Sequence, residues 1–593
     1  MPALADDDQS TPVPTAPSLT SQTTSAALNL STTARTARST DKWFVELEAT
    51  PKILGGSTAT IQAQQKAFID SVADVEVTVE DTFSELWTGV IVSADEAALT
   101  SVKNSDHVKS VFPVLQVSRY AASSEGEPGS ITSGTSRGTS GTPHSESSRL
   151  SASSDKIEYT GKGVKIGVID TGIDIDHPAL GGTGVPNTTE FPNDKIIAGY
   201  DFVGDDYNDD SRSSDYNPIP APDSIPDDCN GHGTHVAGIA AGHDAESRIF
   251  GMAPEATLGA YKVFGCTGTT SSEIILAAME QAKADGMDVI NMSFGADFAP
   301  WPNYPTSAAA DNLVKAGINV VVAQGNLGAL GVFSGGAPAS AHDVIAVGSV
   351  DNAPERQGAF RVADNLYGYV DALQAPAAPI EGDIELAAYP EGQESGAVDL
   401  PGTPLTGKAV LISAGIPEFS DQIAAAQADG AEAVILYRPQ SEIPLGPDLY
   451  LDEAVSSPVV TVSMNTGAQL RSAMKEAGDN AVVVTWTSDW AWSEPEGSSI
   501  TSEFSSWGVS GDLEIKPDIL APGSNRQSAY PLDAPDSDGS GVTTMTGTSM
   551  ATPYVAGSIA LLLQAKPELD PANVKALLLN HASPVISVSD QER

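Results

Sequence analysis

Apolar and polar positions between residues 41 and 120 alternate in short blocks, and the blocks predict a small domain of strands and helices. A strand with one buried face shows apolar residues at every second position, whereas a helix shows them every three to four positions. The predicted strands are Lys42–Leu47, Trp87–Val92 and Val108–Val117, and the predicted helices are Ala63–Ser71 and Ala94–Asn104. We therefore expect an α+β domain over residues 41–120.

Downstream of this domain the apolar runs become nearly continuous and are followed by glycine turns and helices. Val164–Ile169 and Val320–Ala323 are mostly apolar, as are strands that are covered on both faces. Tyr554–Ala565 has the length and composition of a buried helix. This pattern predicts an α/β core with a doubly wound parallel sheet, which we place at residues 156–350 and 501–593.

Residues 351–500 interrupt the predicted core with a β-rich insertion. Its apolar runs are short and β-branched, which favours strands. The predicted strands are Lys408–Ser413, Ala433–Tyr437, Val459–Ser463 and Ala481–Trp486, and the predicted helix is Asp421–Asp429, which ends at Gly430. We expect the core to resume at Glu503–Gly508.

Two segments have compositions that disfavour a packed structure. Residues 1–40 are rich in Ser, Thr, Ala and Pro, which predicts a disordered tail. Residues 121–155 contain 21 Ser, Gly or Thr out of 35, which predicts a flexible linker. The tail carries Ala3-Leu4-Ala5, which has the small-residue form of a signal cleavage site but fits an ordinary alanine-rich tail equally well.

Three segments of the predicted core carry residues suited to nucleophilic catalysis. Ser549 lies in Gly547–Pro553, directly before an apolar helix, where free backbone N–H groups and the helix dipole stabilise negative charge. His232 lies between glycines in Asn230–Gly238, and Asp170 ends an apolar strand. A serine needs a base and a group that orients the base. Each motif alone is more often a cap, a turn or a structural histidine, but the three together favour a catalytic triad.

These motifs resemble those of the subtilisin-like serine proteases, or subtilases, whose triad has the chain order Asp, His, Ser. The resemblance implies that Asp170, His232 and Ser549 form the triad and that His235 is a second, non-catalytic histidine on the same helix. It implies an endopeptidase that acts on protein or peptide substrates through an acyl-enzyme. The alternative is a catalytically inert surface or binding protein with the same fold. Inactive homologues typically lose a triad residue, and none is lost here.

Further matches to the family concern the groups around the triad. Asn326 follows a glycine after an apolar strand, and the resemblance implies that its side chain is an oxyanion-hole donor. Ser293, Phe294 and Gly295 resemble the strand that lines the primary specificity pocket and pairs with the substrate backbone. Pro338 matches a proline that is cis in the family.

The resemblance implies no required cofactor and leaves calcium open. The family's tight calcium site uses side-chain oxygens at positions that are Ala179 and Ala245 here, so we do not expect that site. Residues 201–230 contain nine Asp and one Arg, and such a loop could bind calcium through oxygen ligands. We favour a solvated acidic loop and predict no metal ligands.

The chain has two cysteines, Cys229 and Cys266. The subtilase resemblance places both of their loops at the substrate cleft beside the catalytic histidine. Two cysteines in a secreted chain favour one disulfide, and the alternative is two free thiols. No CxxC spacing occurs, so a metal site at these cysteines is not expected.

Charge and hydropathy limit the partners of the chain. It has 78 acidic and 30 basic residues and a net charge of −48, so it should repel nucleic acid and anionic membranes. No run of 18 apolar residues occurs, so no membrane span is expected. We expect a secreted, extracellular monomer.

Residues 41–120 resemble the inhibitor-like propeptide of subtilases, which implies a precursor that is inhibited and then processed by itself. Val108–Tyr120 aligns without a gap to the family's propeptide tail, and this places the cleavage between Tyr120 and Ala121. The competing sites lie later in the linker, nearer Ile157, where another protease could trim it.

The insertion also resembles a known module. Gly407–Ile412, followed by Ala428–Ala431, resembles part of a protease-associated domain. The resemblance implies a module that gates or selects substrates, although nothing in these residues themselves indicates such a role.

Overall fold

The structure is a computed structural model of the 593-residue chain. It describes residues 38–95, 97–120, 122–123, 159–351, 356–372, 375–388, 405–413, 419–437, 455–478, 480–492, 499–535, 537 and 539–585. Most of the predicted tail, most of the predicted linker and parts of the insertion lie outside the described residues. Residues 38–40, which were assigned to the disordered tail, instead begin the strand Arg38–Leu47, so the tail prediction is wrong for them.

The N-terminal domain is an antiparallel sheet with two helices. Its strands, in spatial order, are Val77–Phe83, Gly89–Ala94, Arg38–Leu47 and Val108–Arg119, and its helices are Thr58–Ser71 and Ala98–Lys103. The helix over Thr58–Ser71 begins five residues before the predicted start because Ser57 caps it, accepting a hydrogen bond from the Thr60 N–H. Val77–Phe83 was not predicted because its exposed face carries acidic residues.

The core is a mainly parallel sheet with helices on both faces. From one edge to the other its strands are Ile500–Thr501, Ile345–Asp351, Asn319–Ala323, Val289–Met292, Lys165–Asp170, Thr257–Lys262 and Ile196–Asp201, and Ile519–Pro522 also pairs with Ile345–Asp351. The helices are His232–Ala241, Ser272–Ala284, Pro305–Lys315, Thr548–Ala565 and Pro571–His581. The chain therefore has the α/β fold that the apolar runs predict.

Alternate residues of the core strands supply the two apolar layers. Val168 and Val321 pack with the helices His232–Ala241 and Thr548–Ala565 on one face. Residues of the opposite face pack with the helices Ser272–Ala284 and Pro305–Lys315 and with Phe44 of the N-terminal domain. The N-terminal domain thus shares a hydrophobic core with one face of the α/β unit.

The insertion contains a closed barrel. Its strands, in spatial order, are Arg356–Val362, Asn365–Asp371, Val459–Thr461, Ala433–Tyr437, Lys408–Ser413, Gly382–Ala388 and Val482–Trp492, and its helices are Phe419–Ala428 and Met464–Ala477. The chain enters and leaves the barrel on paired strands: Asp351 pairs with Ile500 in the core sheet, and Arg356 pairs with Trp492 in the barrel. The helix Met464–Ala477 was not predicted.

Arg248 joins the core to the barrel. Its side chain is 5% exposed, and its Nη2 donates hydrogen bonds to the carbonyl oxygens of Ala378 (2.6 Å) and Pro379 (2.9 Å). Its Nε lies 3.5 Å from Asp371 Oδ2, and its guanidinium carbon lies 5.3 Å from the ring centroid of Tyr369. A buried, paired arginine of this kind fixes the orientation of the two units.

Short elements complete the described fold. The 3₁₀ helices are Lys52–Leu54, Pro178–Leu180 and Gly328–Leu330, and the short strands are Ala122–Ser123, His243–Asp244, Ile249–Phe250, Thr270–Ser271, Phe294–Gly295, Gly508–Val509, Ile515–Lys516, Arg526–Ala529 and Val542–Thr546. Among the residues that the structure describes, no helix combines the length and apolar character needed to cross a bilayer.

Candidate active site

The three predicted triad residues lie at the ends of secondary-structure elements, and all three are buried. Asp170 is the last residue of the strand Lys165–Asp170, His232 is the first residue of its helix, and Ser549 is the second residue of the helix Thr548–Ala565. Their exposed fractions are 0%, 3% and 0%. In an open parallel sheet the carboxyl ends of the strands and the adjoining helix N-termini meet on one side, which is where ligands bind.

Asp170 and His232 form a direct pair. The distance between His232 Nδ1 and Asp170 Oδ1 is 2.7 Å. Asp228 holds the turn before the helix, because its carboxylate accepts hydrogen bonds from the backbone N–H groups of Gly231 and Thr234, both at 3.0 Å. This role of Asp228 was not predicted, since Asp228 lies in an acidic segment and has no motif of its own.

His235 lies one helical turn after His232 but has a different environment. Burial, and then the nearby charge of His232, lowers the pKa of His235 to about 3. Its Nε2 lies 2.8 Å from the carbonyl oxygen of Arg526. His235 is therefore neutral at ordinary pH and bonded to the backbone, as a structural histidine is.

The Ser549 hydroxyl is bonded to the neighbouring strand. Its Oγ donates to the carbonyl oxygen of Ser293 at 2.7 Å, while His232 Nε2 has no hydrogen-bond partner among the described residues. The Ser549 carbonyl oxygen accepts from Ser293 Oγ at 2.9 Å. This bond replaces the helical one that Pro553 cannot donate, because proline has no N–H.

The strand Val108–Arg119 ends inside this region. Arg119 and Ser118 pair antiparallel with Phe294 and Gly295, and the Tyr120 N–H donates to the Ser293 carbonyl at 3.4 Å. The same strand also pairs with Thr270–Ser271, so it lies between two segments of the core.

A short strand after Tyr120 pairs with the segment that precedes the Ser549 helix. Ala122 and Ser123 pair with Thr546 and Met545. Ala121 itself lies outside the described residues. The described residues before and after Ala121 therefore pair with two different segments of the core.

The Tyr120 carbonyl group faces two features of the core. Asn326 Nδ2 donates to the Tyr120 oxygen at 2.5 Å, and Asn326 Oδ1 accepts from the Thr548 N–H at 2.9 Å, which fixes the amide orientation. A Cβ at Gly547 would lie 1.9 Å from the same Tyr120 oxygen. Only glycine at position 547 leaves room for a carbonyl oxygen at the start of the Ser549 helix.

The acidic segment 201–230 is only partly solvated. Asp201, Asp209 and Asp228 are almost completely buried, so our expectation of a solvated loop is wrong for these residues. Burial raises the pKa of Asp227 to about 6. The Asp201 carboxylate is compensated by the backbone N–H groups of Val203 and Gly204 and by Lys262, which a charge count does not reveal.

Cys229 and Cys266 are joined in a disulfide with a Cα–Cα distance of 5.0 Å. The bond lies beside the histidine turn, because Asn230 Nδ2 donates to the Cys266 carbonyl at 2.8 Å. Asp205, Cys229 and Cys266 are the one group of potential metal ligands found within the described ranges. The disulfide occupies both sulfur atoms, so this group does not fit a metal ion.

We expect peptide mapping of the non-reduced protein to recover Cys229 and Cys266 in one cross-linked peptide. The sequence separation is 37, and closing a loop of that length stabilises a fold by about 3–4 kcal/mol in the chain-entropy model. A double Cys→Ser variant should lose a free energy of unfolding of this order in urea titrations. Two separately alkylated thiols in the native protein would contradict the bridge.

An α/β core of this connectivity, with an acid at a strand end and a histidine and a serine at two helix starts, defines the subtilisin-like class of folds. The Subtilase family model matches residues 161–592, and the chain belongs to that family.

Individual relatives show the same similarity. The chain is 34% identical over 434 residues to the minor extracellular protease Vpr of Bacillus subtilis, with 72% of this chain and 49% of that protein covered. It is 27% identical to the PII-type proteinase of Lacticaseibacillus paracasei, with 69% and 23% covered. It is 36% identical to subtilisin DY of Bacillus licheniformis, with 36% and 66% covered. The chain thus spans about half the length of the first of these relatives and about a quarter of the second.

Proposed function

We propose that the protein is a serine endopeptidase that is made as a self-processing precursor. The observation that supports this most strongly is the position of the Tyr120 carbonyl. It lies against a core strand, accepts a hydrogen bond from Asn326, and abuts the helix start that carries Ser549. An extended peptide paired with a sheet edge is a common mode of substrate binding.

The proposed chemistry uses the Asp170–His232 pair as an oriented base. With its Nδ1–H donated to Asp170, the neutral His232 ring leaves Nε2 free to accept a proton. The Ser549 hydroxyl exchanges the Ser293 carbonyl for His232 Nε2 as its acceptor and attacks the substrate carbonyl carbon. Asn326 donates to the oxyanion that forms, and His232 then protonates the leaving amine. Water hydrolyses the resulting acyl-enzyme by the same steps in reverse.

In this proposal residues 41–120 are the inhibitory propeptide and the bond after Tyr120 is the processing site. Tyr120 would occupy the position of the substrate residue before the cleaved bond, and Ala121 would carry the leaving amine. The pairing on both sides of Ala121 supports this register, because it extends the chain across the cleft. Later sites in residues 121–156 remain the competing assignment.

Further parts of the proposal rest on the relatives and on the chemistry of the chain. Secretion is supported by the extracellular protease among the relatives and by the disulfide, which persists in oxidising compartments. The barrel within residues 351–500 is proposed to be a protease-associated domain, and the protein is proposed to act as a monomer without a required cofactor. Proteins and peptides are its proposed substrates.

We expect the wild-type precursor to yield a mature form that begins at Ala121, because Tyr120 presents its carbonyl to Asn326. The Ser549→Ala precursor should keep its full length, since it lacks the nucleophile. Expression of both in a host without other extracellular proteases, followed by N-terminal sequencing, checks this result.

Two outcomes of this experiment distinguish which protease makes the cut from which bond is cut. Processing of the Ser549→Ala precursor at the same bond would show that another protease makes the cut. A wild-type mature form that begins within residues 122–156 would show self-processing at a different bond.

A further inference from the structure

The side chain of Tyr120 fills a pocket of the core. Tyr120 is 4% exposed, and its backbone follows the strand that pairs with Phe294–Gly295. A Cβ at Gly295 would lie 2.3 Å from the Tyr120 phenol oxygen. The absence of a side chain at position 295 therefore creates the space that the hydroxyl group needs, and that space is larger than a phenylalanine ring requires.

An acidic side chain faces the phenol at this end of the pocket. Asp297 interacts with the Tyr120 hydroxyl, and burial together with this carboxylate holds the pKa of Tyr120 well above its usual value. Among the described residues, neither the phenol oxygen nor Asp297 Oδ1 has a partner in hydrogen-bonding geometry, although both atoms are buried. Buried polar atoms without other partners are costly, so the two groups satisfy each other or remain unsatisfied.

We propose that Asp297 determines specificity by accepting a hydrogen bond from the phenol of the residue before the cleaved bond, so that the enzyme prefers tyrosine to phenylalanine there. This inference rests on the proposed endopeptidase function and names its substrate class: polypeptides with an accessible tyrosine in an extended segment.

The physical basis is the cost of an unpaired carboxylate. Burial raises the pKa of Asp297 to about 6, and the nearby Tyr120 hydroxyl opposes that rise. At pH 8 the group is ionised and needs a donor. A phenylalanine would bury the carboxylate without one, and a site with an unpaired polar group discriminates strongly against such an analogue. Asp297 is partly exposed to solvent, which reduces the cost of leaving its carboxylate unpaired. We therefore expect kcat/KM for tyrosine to exceed that for phenylalanine by about 10–100-fold, which is below the largest discrimination known for such sites.

A negative charge at the end of a pocket can also bind a cation, so lysine is the main competing residue. The pocket favours tyrosine because Tyr120 itself occupies it and because Gly295 lies directly against its ring. A lysine would place its ammonium among the same walls with a single carboxylate partner, which costs more desolvation than a neutral hydroxyl does.

The test compares three peptides that differ only at the residue before the cleaved bond: tyrosine, phenylalanine and lysine. Each is assayed at pH 8 with processed wild type, Asp297→Ala and Asp489→Ala. The last is a matched control, because Asp489 is an exposed acid of the barrel that pairs with Arg361. We expect kcat/KM for tyrosine to exceed that for phenylalanine about 10–100-fold in wild type and control, and less than about 3-fold in Asp297→Ala.

Fluorophosphonate labelling of Ser549 separates failure of this inference from failure of the proposed function. A wild-type protein that is labelled and cleaves phenylalanine or lysine peptides as well as tyrosine peptides overturns the specificity inference alone. A wild-type protein that is neither labelled nor active overturns the endopeptidase proposal and this inference with it.

A second measurement covers the case in which Asp297→Ala does not fold or mature. The Tyr120→Phe precursor keeps Asp297 intact and changes one oxygen atom of the bound segment. Its self-processing should be at least about 10-fold slower than that of the wild-type precursor. Equal processing rates would overturn the inference.

Discussion

Replacement of Ser549 by alanine should abolish peptide hydrolysis while the fold is kept. Ser549 is fully buried at the start of its helix, beside the Asp170–His232 pair, and no other hydroxyl at this helix start can replace it in the proposed chemistry. In subtilisin itself the loss of the nucleophile lowers kcat by about 10⁶, and we expect a decrease of that order here. The measurement is kcat for a fluorogenic peptide with both purified proteins.

Ser558→Ala is the matched control for this change. Ser558 lies on the same helix, and its hydroxyl donates only to the Tyr554 carbonyl at 2.7 Å. We expect Ser558→Ala to keep wild-type activity and fluorophosphonate labelling, and Ser549→Ala to lose both. Retention of more than a per cent of activity by Ser549→Ala would refute the triad, and a wild type without labelling would support an inert protein of the same fold.

Replacement of Asn326 by alanine should lower kcat about 10²–10³-fold and leave KM nearly unchanged. That magnitude is known for the corresponding change in subtilisin. The physical reason is that the Asn326 amide donates to the Tyr120 carbonyl oxygen, and in the proposed mechanism that oxygen becomes negatively charged in the transition state, so the contribution of the amide grows as the reaction proceeds.

Asn319→Ala provides the comparison for the loss of an amide from the strand that precedes Asn326. Asn319 is buried at the start of Asn319–Ala323, and its Nδ2 lies 3.4 Å from the Asp288 carbonyl oxygen. Steady-state kinetics should show wild-type kcat for this variant. If Asn326→Ala instead raised KM at constant kcat, Asn326 would serve substrate binding and not the transition state.

The sequence predicted the fold class because its signals are local. Continuous apolar strands such as Val320–Ala323, and glycine turns directly after them, specify a parallel sheet without long-range information. The boundaries were less predictable. The helix that carries Ser549 begins at Thr548 and not at Tyr554, because the Ser293 hydroxyl satisfies the carbonyl group that Pro553 leaves unpaired. That partner is 256 residues away, so no local pattern reveals it.

In the candidate site, too, some residues could be predicted from the sequence and others could not. The motifs that carry Asp170, His232, Ser549 and Asn326 could be recognised from sequence. Asp297 could not, because it is a single acid after a short strand, and its significance depends on Tyr120, which reaches it from another domain. The barrel also contains strands that were not predicted, such as Arg356–Val362. This segment has a mixed composition and gains its strand structure from pairing with Val482–Trp492.

The two chain crossings into the barrel make the core almost independent of what is inserted. Since Asp351 and Ile500 are already neighbours in the core sheet, a short hairpin could join them without moving any catalytic group. Loop-closure entropy grows only with the logarithm of length, so an insertion of this size costs the core roughly 3 kcal/mol more than a tight turn. The first and last strands of the barrel pair with each other, so folding of the barrel itself brings the two ends of the insertion together and lowers that cost further. The insertion is thus a replaceable module, and its length and chemistry can vary while the geometry at Ser549 stays constant.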